Sequence, residues 1–358
     1  SEEQEIKQEC GKDNEIMKLT DLHNGVSSEW EEKGYELFSY DREAVKKKTK
    51  ETPVWVHFGA GNIFRAFPAE VLQRLLNDGS YDKGVFVAES FDHEIITKAY
   101  QPYDSLSLSV VLKANGTIEK KVVGSVVEAL VADQSVPEDF KRLYEIFENP
   151  SLQMASFTIT EKGYSIYDGK GDILPVVEKG FCEKPEEQGH LMGRVAALCY
   201  HRFKTCKSPV ALSSMDNCSH NGDKLKDGVM AFVTAWVKNG VVEKEFEDYM
   251  NDETKVTFPC SMIDKITPRP DENVKKMLAE DGFEDTDLII TSKNTYTSPF
   301  VNSEETGYLV IEDKFPNGRP PLENAGLLFT DRETVDKVEK MKVCTCLNPL
   351  HTALAIYG

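Results

Sequence analysis

The chain has 358 residues, of which 40% are hydrophobic and 29% charged, and this composition is typical of a globular protein with more than one domain. It contains no apolar run of about 18 residues that would predict a transmembrane helix, and its polar, acidic N-terminus does not resemble a secretory signal. The formal net charge of −19 disfavours binding to nucleic acid or to anionic membranes, since both are negatively charged.

The cysteines of the chain predict neither a disulfide scaffold nor a metal site. None of them forms a Cys-x-x-Cys pair, and the Cys-x-Cys pair at Cys344 and Cys346 has no neighbouring pair of histidines. We therefore expect reduced thiols, no bound metal and a cytoplasmic location. The eight cysteines are Cys10, Cys182, Cys199, Cys206, Cys218, Cys260, Cys344 and Cys346.

The N-terminal third of the chain predicts a strand–helix–strand unit. Residues 1–16 are polar and rich in Glu, which indicates a tag or a disordered lead-in. The apolar run 54–58 stops at a glycine, as a buried parallel strand does. A helix with Pro68 in its first turn should follow, and residues 84–88 then predict a second buried strand. This spacing is typical of one βαβ unit.

The rest of the chain continues to alternate between strand and helix patterns. Residues 106–112 and 119–123 predict a hairpin around an Asn-Gly turn. The alternation predicts an α/β, Rossmann-like domain with a mostly parallel sheet, residues 17–328, followed by the start of an all-helical C-terminal domain, residues 329–358. Further strands are predicted at 154–160 and 210–215, and helices at 137–149, 193–203, 228–237 and from Asp331 onward.

A loop with two glycines connects the first predicted strand to its helix. Gly59 permits a tight turn there, and Gly61 lets the backbone approach a pyrophosphate, whose charge the helix N-terminus favours. Phe64 stands at the position of the usual third glycine, and glycines also end strands for purely structural reasons. The strand–turn–helix context favours a dinucleotide-binding loop. The loop consists of Phe58, Gly59, Ala60, Gly61 and Asn62.

An acidic residue that binds the adenosine ribose is expected at the end of the second strand. Glu89 follows that strand directly, and Asp92 comes three residues later. A carboxylate there hydrogen-bonds the ribose hydroxyls and repels a 2′-phosphate, which favours NAD over NADP. Either residue could instead be an ordinary solvated carboxylate. We predict that Glu89 is the ribose ligand.

Six blocks of the sequence together resemble the long-chain mannitol dehydrogenase family, whose members include mannitol 2-dehydrogenase, fructuronate reductase and tagaturonate reductase. They occur in the family's order from residue 54 to the C-terminal end. Each block alone is modest support, whereas the complete ordered set is specific. The blocks are 57–62 (HFGAGN), 158–164 (TITEKGY), 214–217 (SMDN), 261–268 (SMIDKITP), 310–313 (VIED) and 348–351 (NPLH).

The resemblance implies hydride transfer without a metal. In the family a lysine acts as general base on the substrate hydroxyl, while asparagine amides donate hydrogen bonds to the substrate oxygen. Carried onto this sequence, the base is Lys342, and Ile263 and Asp264 lie beside the substrate, while the loop from Phe58 to Asn62 holds the pyrophosphate. The remaining catalytic residues implied are Asn217, Asn348 and, for orientation of the array, His351.

The spacing around the implied base departs from the family. Lys342 lies six residues before Asn348 and nine before His351, one more in each case than the family shows. Nine residues of a straight α-helix, at about 100° each, place two side chains on opposite faces. A one-residue bulge or a break near residues 345–347 would restore a shared face. Lys340 is the alternative base, because eleven residues return it to the side of His351.

Two further departures affect the site. Phe64 and Phe67 stand where family members often carry histidines, which bears on the finer cofactor contacts. The sequence ends at Gly358, shortly after the family's helical domain begins. We therefore expect a fragment or a diverged short form that lacks most of that domain, with weak activity at most.

The predicted function is hydride transfer between NAD and a linear six-carbon sugar acid or sugar alcohol by a monomer or weak oligomer. The D-mannonate/D-fructuronate pair is the first choice, and mannitol/fructose and altronate/tagaturonate are alternatives. Two hypotheses from other classes stay open. One is a non-catalytic module that binds NAD(H), and the other is an S-adenosylmethionine-dependent methyltransferase, which also uses a glycine loop after its first strand.

Overall fold

A computed structural model describes residues 16–22 and 27–347, with the backbone alone for residues 345–347. Its strands are β1 (Tyr35–Glu36), β2 (Trp55–Phe58), β3 (Val85–Glu89), β4 (Ser107–Leu112), β5 (Ile118–Val123), β6 (Val126–Val131), β7 (Met154–Phe157), β8 (Val210–Ser214), β9 (Val256–Thr257), β10 (Ser261–Lys265), β11 (Ile289–Ile290), β12 (Tyr296–Thr297), β13 (Phe300–Glu304), β14 (Gly307–Glu312) and β15 (Leu328–Thr330).

The α-helices are α1 (Ser28–Glu32), α2 (Arg42–Glu51), α3 (Asn62–Ala66), α4 (Pro68–Asn77), α5 (His93–Ile95), α6 (Pro137–Glu148), α7 (Thr160–Tyr164), α8 (Pro175–Gly180), α9 (Leu191–Thr205), α10 (Asn221–Lys238), α11 (Lys244–Asn251), α12 (Glu272–Glu280) and α13 (Arg332–Lys340). Two π-helical segments, Ile96–Tyr100 and Met341–Leu347, continue α5 and α13. Short 3₁₀ turns occur at Leu19–Asp21, Gln101–Tyr103, Pro185–Glu187 and Leu322–Ala325.

The predicted α/β architecture is confirmed by a six-stranded parallel sheet in the order β6-β3-β2-β7-β8-β9. The strands β2, β3, β7 and β8 are buried along their whole length, as strands with helices on both faces must be. The strand order reverses between β2 and β7. In doubly wound sheets, ligands bind at the carboxyl ends of the strands at this reversal.

The helices that cover this sheet form where the sequence offers apolar stripes with suitable ends. Pro68 begins α4, where its missing N–H costs nothing, and Val71, Leu72, Leu75 and Leu76 are buried on one side. The residue before a proline avoids the helical region, and the chain accordingly breaks at Phe67. The helix predicted with Pro68 in its first turn is therefore α4, and the short helix α3 that precedes Phe67 was not predicted.

Three smaller sheets surround the parallel one. The predicted hairpin is confirmed as the antiparallel pair β4–β5, and it extends to the four-stranded order β1-β5-β4-β13. The second sheet has the order β10-β14-β15, and the third is the antiparallel pair β11–β12. The neighbours of the hairpin and the other two sheets were not predicted from hydrophobic patterns.

Two predicted boundaries were wrong by several residues. The strand predicted at 154–160 ends at Phe157, because Thr160 has a positive φ of 65° and starts α7. The helix predicted at 228–237 begins at Asn221, seven residues earlier, because the polar first turn of α10 is also helical. Elsewhere the predicted and observed bounds agree within a few residues.

The C-terminal part of the described chain packs on the sheet of β10, β14 and β15. Val335 of α13 contacts Cys260 and Val310 in a small apolar cluster. The domain boundary predicted between residues 328 and 329 falls within β15, and it stays a prediction. Among the described helices, none combines the length and the apolar character needed to cross a bilayer.

Candidate active site

The glycine loop leaves β2 at the centre of the sheet and leads into α3. Gly59 has a φ of 112°, and a Cβ atom at this residue would overlap the carbonyl oxygen of Thr158. Its N–H donates to Ala88 O at 2.8 Å. At Gly61, by contrast, a Cβ would meet no atom within 4 Å. The first glycine is therefore required by the fold, and the second leaves the backbone open to a ligand.

A cavity of about 600 Å³ lies beside this loop, at the carboxyl ends of β2, β3 and β7. It is at the reversal of strand order, where this class of sheet binds nucleotides. The open backbone at Gly61 and the apolar and polar walls fit part of a dinucleotide. The lining includes Gly59, Gly61, Glu89, Phe91, Thr158 and Leu191.

Glu89 ends β3 and lines the cavity, and its carboxylate also connects the loops around it. Its Oε2 accepts from Ala60 N at 2.9 Å, while its Oε1 accepts from Phe91 N at 2.9 Å and from Asp92 N at 3.2 Å. The carboxyl of Asp92 is buried and accepts from Thr291 Oγ1 at 2.5 Å. Binding of a ribose by Glu89 stays a prediction, and the fourth lone-pair direction of its carboxylate is the one left for a ligand.

The other loop residues differ in what they expose. The ring of Phe58 is buried and stacks on Phe157, with centroids 5.0 Å apart. Ala60 is also buried, and its carbonyl accepts from Tyr100 Oη at 3.0 Å. Asn62 is half-buried at the start of α3. Neither side chain is available to a phosphate, and the N–H of Ala60 already donates to Glu89, so phosphate contacts at Phe58 and Ala60 stay a prediction.

The structure brings Lys342 together with three other predicted site residues. The Lys342 side chain is only 5% exposed. Its Nζ donates to Ile263 O at 2.6 Å and to Asn217 Oδ1 at 3.0 Å, and it lies 3.4 Å from Asp264 Oδ1. Lys340, the alternative base, is exposed. A buried lysine with these partners is unusual, because most lysines lie in solvent.

Asn221 fixes the geometry of the segments that hold Lys342. This buried residue starts α10, and its Nδ2 donates to Asp216 O at 2.9 Å and to Ser261 Oγ at 3.0 Å. Its Oδ1 accepts from Ser261 N at 2.9 Å. The segment that carries Asn217 is thereby tied to the start of β10, which carries Ile263. No sequence pattern had marked Asn221.

Asp216 connects the Lys342 site with the cavity beside the glycine loop. Its carboxylate accepts from Ile159 N at 2.8 Å, from Thr160 N at 3.0 Å and from the hydroxyl of Tyr164. Burial raises the pKa of Asp216 and also that of Tyr164. The sequence had placed Asp216 only inside the SMDN block, with no role of its own.

A cluster of His220, Asp336 and Glu339 lies close to the buried lysine, with potential ligand atoms within 4.8 Å of one another. The guanidinium of Arg332 already faces this cluster, 2.9 Å from Asp336 and 3.2 Å from His220 Nδ1. Glu339 is buried and accepts from the hydroxyl of Ser219 and from His220 N. Arg332 therefore supplies a positive charge beside Asp336 and His220, two of the three members of the cluster.

A family model described as the mannitol dehydrogenase Rossmann domain matches residues 54–324. The chain belongs to this family. The predicted family resemblance is thereby confirmed, and the match covers both the glycine loop and the segments that contact Lys342.

Relatives within the family carry dehydrogenase and oxidoreductase names. A D-mannonate oxidoreductase from Thermotoga maritima is 54% identical over 92% of the chain and 61% of its own length. A polyol:NADP oxidoreductase from Gluconobacter oxydans is 28% identical over 89% of the chain and 60% of its length. The chain thus spans about three fifths of the length of these curated relatives.

A solved structure has the same fold. The ternary complex of Pseudomonas fluorescens mannitol 2-dehydrogenase with NAD and D-mannitol matches with a TM-score of 0.71 and 26% identity. The match covers 90% of the chain and 60% of that protein. This agrees with the Rossmann-like architecture of the parallel sheet.

The lysine spacing that departs from the family coincides with a change of helix type. The segment Met341–Leu347, which includes Lys342, is π-helical. A π-turn takes up extra residues compared with an α-turn, and it therefore shifts the following side chains around the helix axis. The irregularity was expected near residues 345–347. The π-helical segment begins four residues earlier, at Met341, and includes residues 345–347. Asn348 and His351 lie outside the described residues, so their place beside Lys342 stays a prediction.

Proposed function

We propose that the protein is an NAD-dependent, metal-independent dehydrogenase that interconverts a secondary alcohol and a ketone of a linear six-carbon sugar acid, with D-mannonate and D-fructuronate as the pair. The observation that carries the proposal is the buried Nζ of Lys342, held by Asn217 and Ile263 O beside Asp264. The 54% identical relative from Thermotoga maritima, named D-mannonate oxidoreductase, supports this substrate pair.

The contacts of Lys342 suit a general base. Ile263 O and Asn217 Oδ1 fix two of the tetrahedral positions around Nζ, and Asp264 Oδ1 lies 3.4 Å away. A position of Nζ that these two acceptors do not occupy is the one that would exchange a proton with the substrate hydroxyl. In the reverse direction, Nζ returns this proton to the oxygen of the reduced ketone.

Asn217 also binds the substrate oxygen during this proton transfer. Its Oδ1 accepts from Lys342, so its Nδ2 group is the end that donates to the substrate oxygen. A fixed amide donor stabilises the negative charge that develops on this oxygen. Asn348 is the proposed second donor, and His351 the proposed orienting residue.

The cofactor site is proposed at the cavity beside Gly59 and Gly61. Bound there, NAD supplies the carbon that accepts or delivers the hydride. Glu89 is the residue that would favour NAD over NADP, because its carboxylate and a 2′-phosphate are both negatively charged and would repel each other. The contacts of Asp216 with Ile159 and Thr160 join this cavity to the segment of Asn217.

The proposal is tested by NADH oxidation with D-fructuronate, D-tagaturonate and D-fructose in the presence of a chelator. The assay uses the chain and a fusion of the chain to the remaining C-terminal part of the Thermotoga maritima relative, since the chain spans 61% of that protein. The expected result is turnover with a preference for D-fructuronate. Preference for D-fructose or D-tagaturonate would replace the substrate, and NADH binding without turnover in the fusion would contradict the enzyme assignment.

A further inference from the structure

Arg65 carries a buried charge that the proposed hydride transfer does not use. The residue is 1% exposed, and no ion pair joins its guanidinium to a carboxylate among residues 16–22 and 27–344. Its Nη1 donates to Ser298 O at 2.7 Å, and its Nη2 donates to Asn62 Oδ1 at 2.9 Å and to Thr297 Oγ1 at 2.8 Å. All three acceptors are neutral.

The guanidinium is also incompletely satisfied as a hydrogen-bond donor. Its Nε is buried without a partner in the described part of the chain. Burial lowers the pKa of Arg65, which is the direction expected for a cation without an anionic neighbour. An unpaired buried charge is costly for a protein, and it is best explained where an anion binds nearby.

The position of Arg65 indicates which kind of anion would bind near it. Arg65 lies in α3, the helix that follows the glycine loop, and it contacts Asn62, the first residue of that helix. Asn62 directly follows Gly61, whose backbone is open and lines the cavity. A phosphate group at Gly61 would therefore lie one residue away from a side chain that Arg65 holds. The negative charge of a phosphate there and the positive charge of Arg65 would attract each other, because the protein interior screens charges less than water does.

We propose that Arg65 is a positioning residue for the diphosphate of the cofactor: it holds the Asn62 side chain and supplies the positive charge that the diphosphate needs. This inference rests on the proposed dinucleotide site at Gly59 and Gly61. In this inference the two glycines let the diphosphate approach the backbone, while Arg65, in the helix that follows the loop, supplies the positive charge.

The test compares ADP-ribose, which carries the diphosphate and a second ribose, with adenosine, which carries neither. Dissociation constants of ADP-ribose and adenosine are measured by ligand-observed NMR for the wild type and for Arg65→Met, Arg65→Gln and Arg65→Lys. Loss of the charge should weaken ADP-ribose binding by about tenfold or more and adenosine binding by less than about twofold. Arg65→Lys keeps the charge but cannot reproduce the three hydrogen bonds of the guanidinium, so ADP-ribose binding should weaken less in this variant than in Arg65→Met or Arg65→Gln.

Thr297→Val is the matched control, because it removes one hydrogen bond of the guanidinium and leaves the charge in place. If Arg65 only joins α3 to residues 297 and 298, the Met and Gln variants will weaken both ligands equally. An unchanged ratio in either folded variant would overturn the inference while the dinucleotide site stands. A wild type that binds neither NADH nor ADP-ribose would overturn the proposed function itself.

Discussion

His57 on the central strand β2 gives the protein a pH-dependent stability that can be calculated. The imidazole is completely buried, with Nδ1 2.6 Å from Ser156 Oγ and Nε2 2.7 Å from Thr158 Oγ1. Its ring stacks on Phe64 at a centroid distance of 4.2 Å. Burial lowers the pKa of His57 to about 3. The folded protein therefore keeps this histidine neutral at all but strongly acidic pH.

The sign and size of the effect follow from linkage. An unfolded chain protonates this histidine near pH 6.5, so between pH 6.5 and about 3 the unfolded state binds the additional proton. The stabilisation is complete above pH 6.5 and is lost as the pH falls towards 3. Between pH 7 and pH 5, His57 alone should lower the free energy of unfolding by about 2 kcal/mol, at about 1.36 kcal/mol per pH unit below 6.5.

The assay is urea denaturation of the wild type and of His57→Gln at pH 7 and pH 5. Glutamine does not titrate, and its amide can still contact a neighbouring hydroxyl. The decrease in unfolding free energy between the two pH values should be about 2 kcal/mol larger for the wild type than for the variant. Equal decreases would refute the reasoning, since they would show that His57 takes up its proton equally in both states.

Three further substitutions test the cofactor site. Gly59→Ala should lower the free energy of unfolding by about 1–3 kcal/mol, because its Cβ meets Thr158 O at a positive φ. Gly61→Ala should leave the melting temperature unchanged and weaken NADH binding. Equal melting temperatures for the two variants, from calorimetry, would contradict this contrast. Glu89→Ala should weaken NADH binding by about tenfold or more, because it removes the ribose acceptor and leaves the N–H groups of Ala60, Phe91 and Asp92 without their carboxylate. An unchanged dissociation constant in a fluorescence titration would exclude Glu89 from the site.

The part of the fold that could be predicted is the part encoded by contiguous residues. The apolar strand at 55–58, the glycine turn and the amphipathic helix α4 each have a local signal, and together they define the start of the parallel sheet. The strands β9, β11 and β12 have two residues each, too few to show a period of alternation. Their positions depend on contacts with distant segments.

The site could be predicted as a set of residues only through the family resemblance. Lys342 lies 125 residues from Asn217 and 79 from Ile263, and on its own sequence it is an ordinary helix lysine. Its burial depends on how α13 packs on the sheet of β10 and β14. Asn221 and Asp216 had no signal, because buried polar networks depend on tertiary geometry. The π-helix at Lys342 was indicated only by a spacing that did not suit a regular helix.

The most direct test of the account compares Lys342→Met with Lys340→Met in NADH oxidation with D-fructuronate, using the fusion described above. Lys340 is exposed and two residues away, so its variant controls for the loss of a lysine from the same helix. We predict that Lys342→Met lowers kcat by about 10²–10⁴-fold without abolishing NADH binding, and that Lys340→Met keeps the wild-type rate. Full turnover by Lys342→Met, or loss of turnover in Lys340→Met alone, would contradict the assignment of Lys342 as the base.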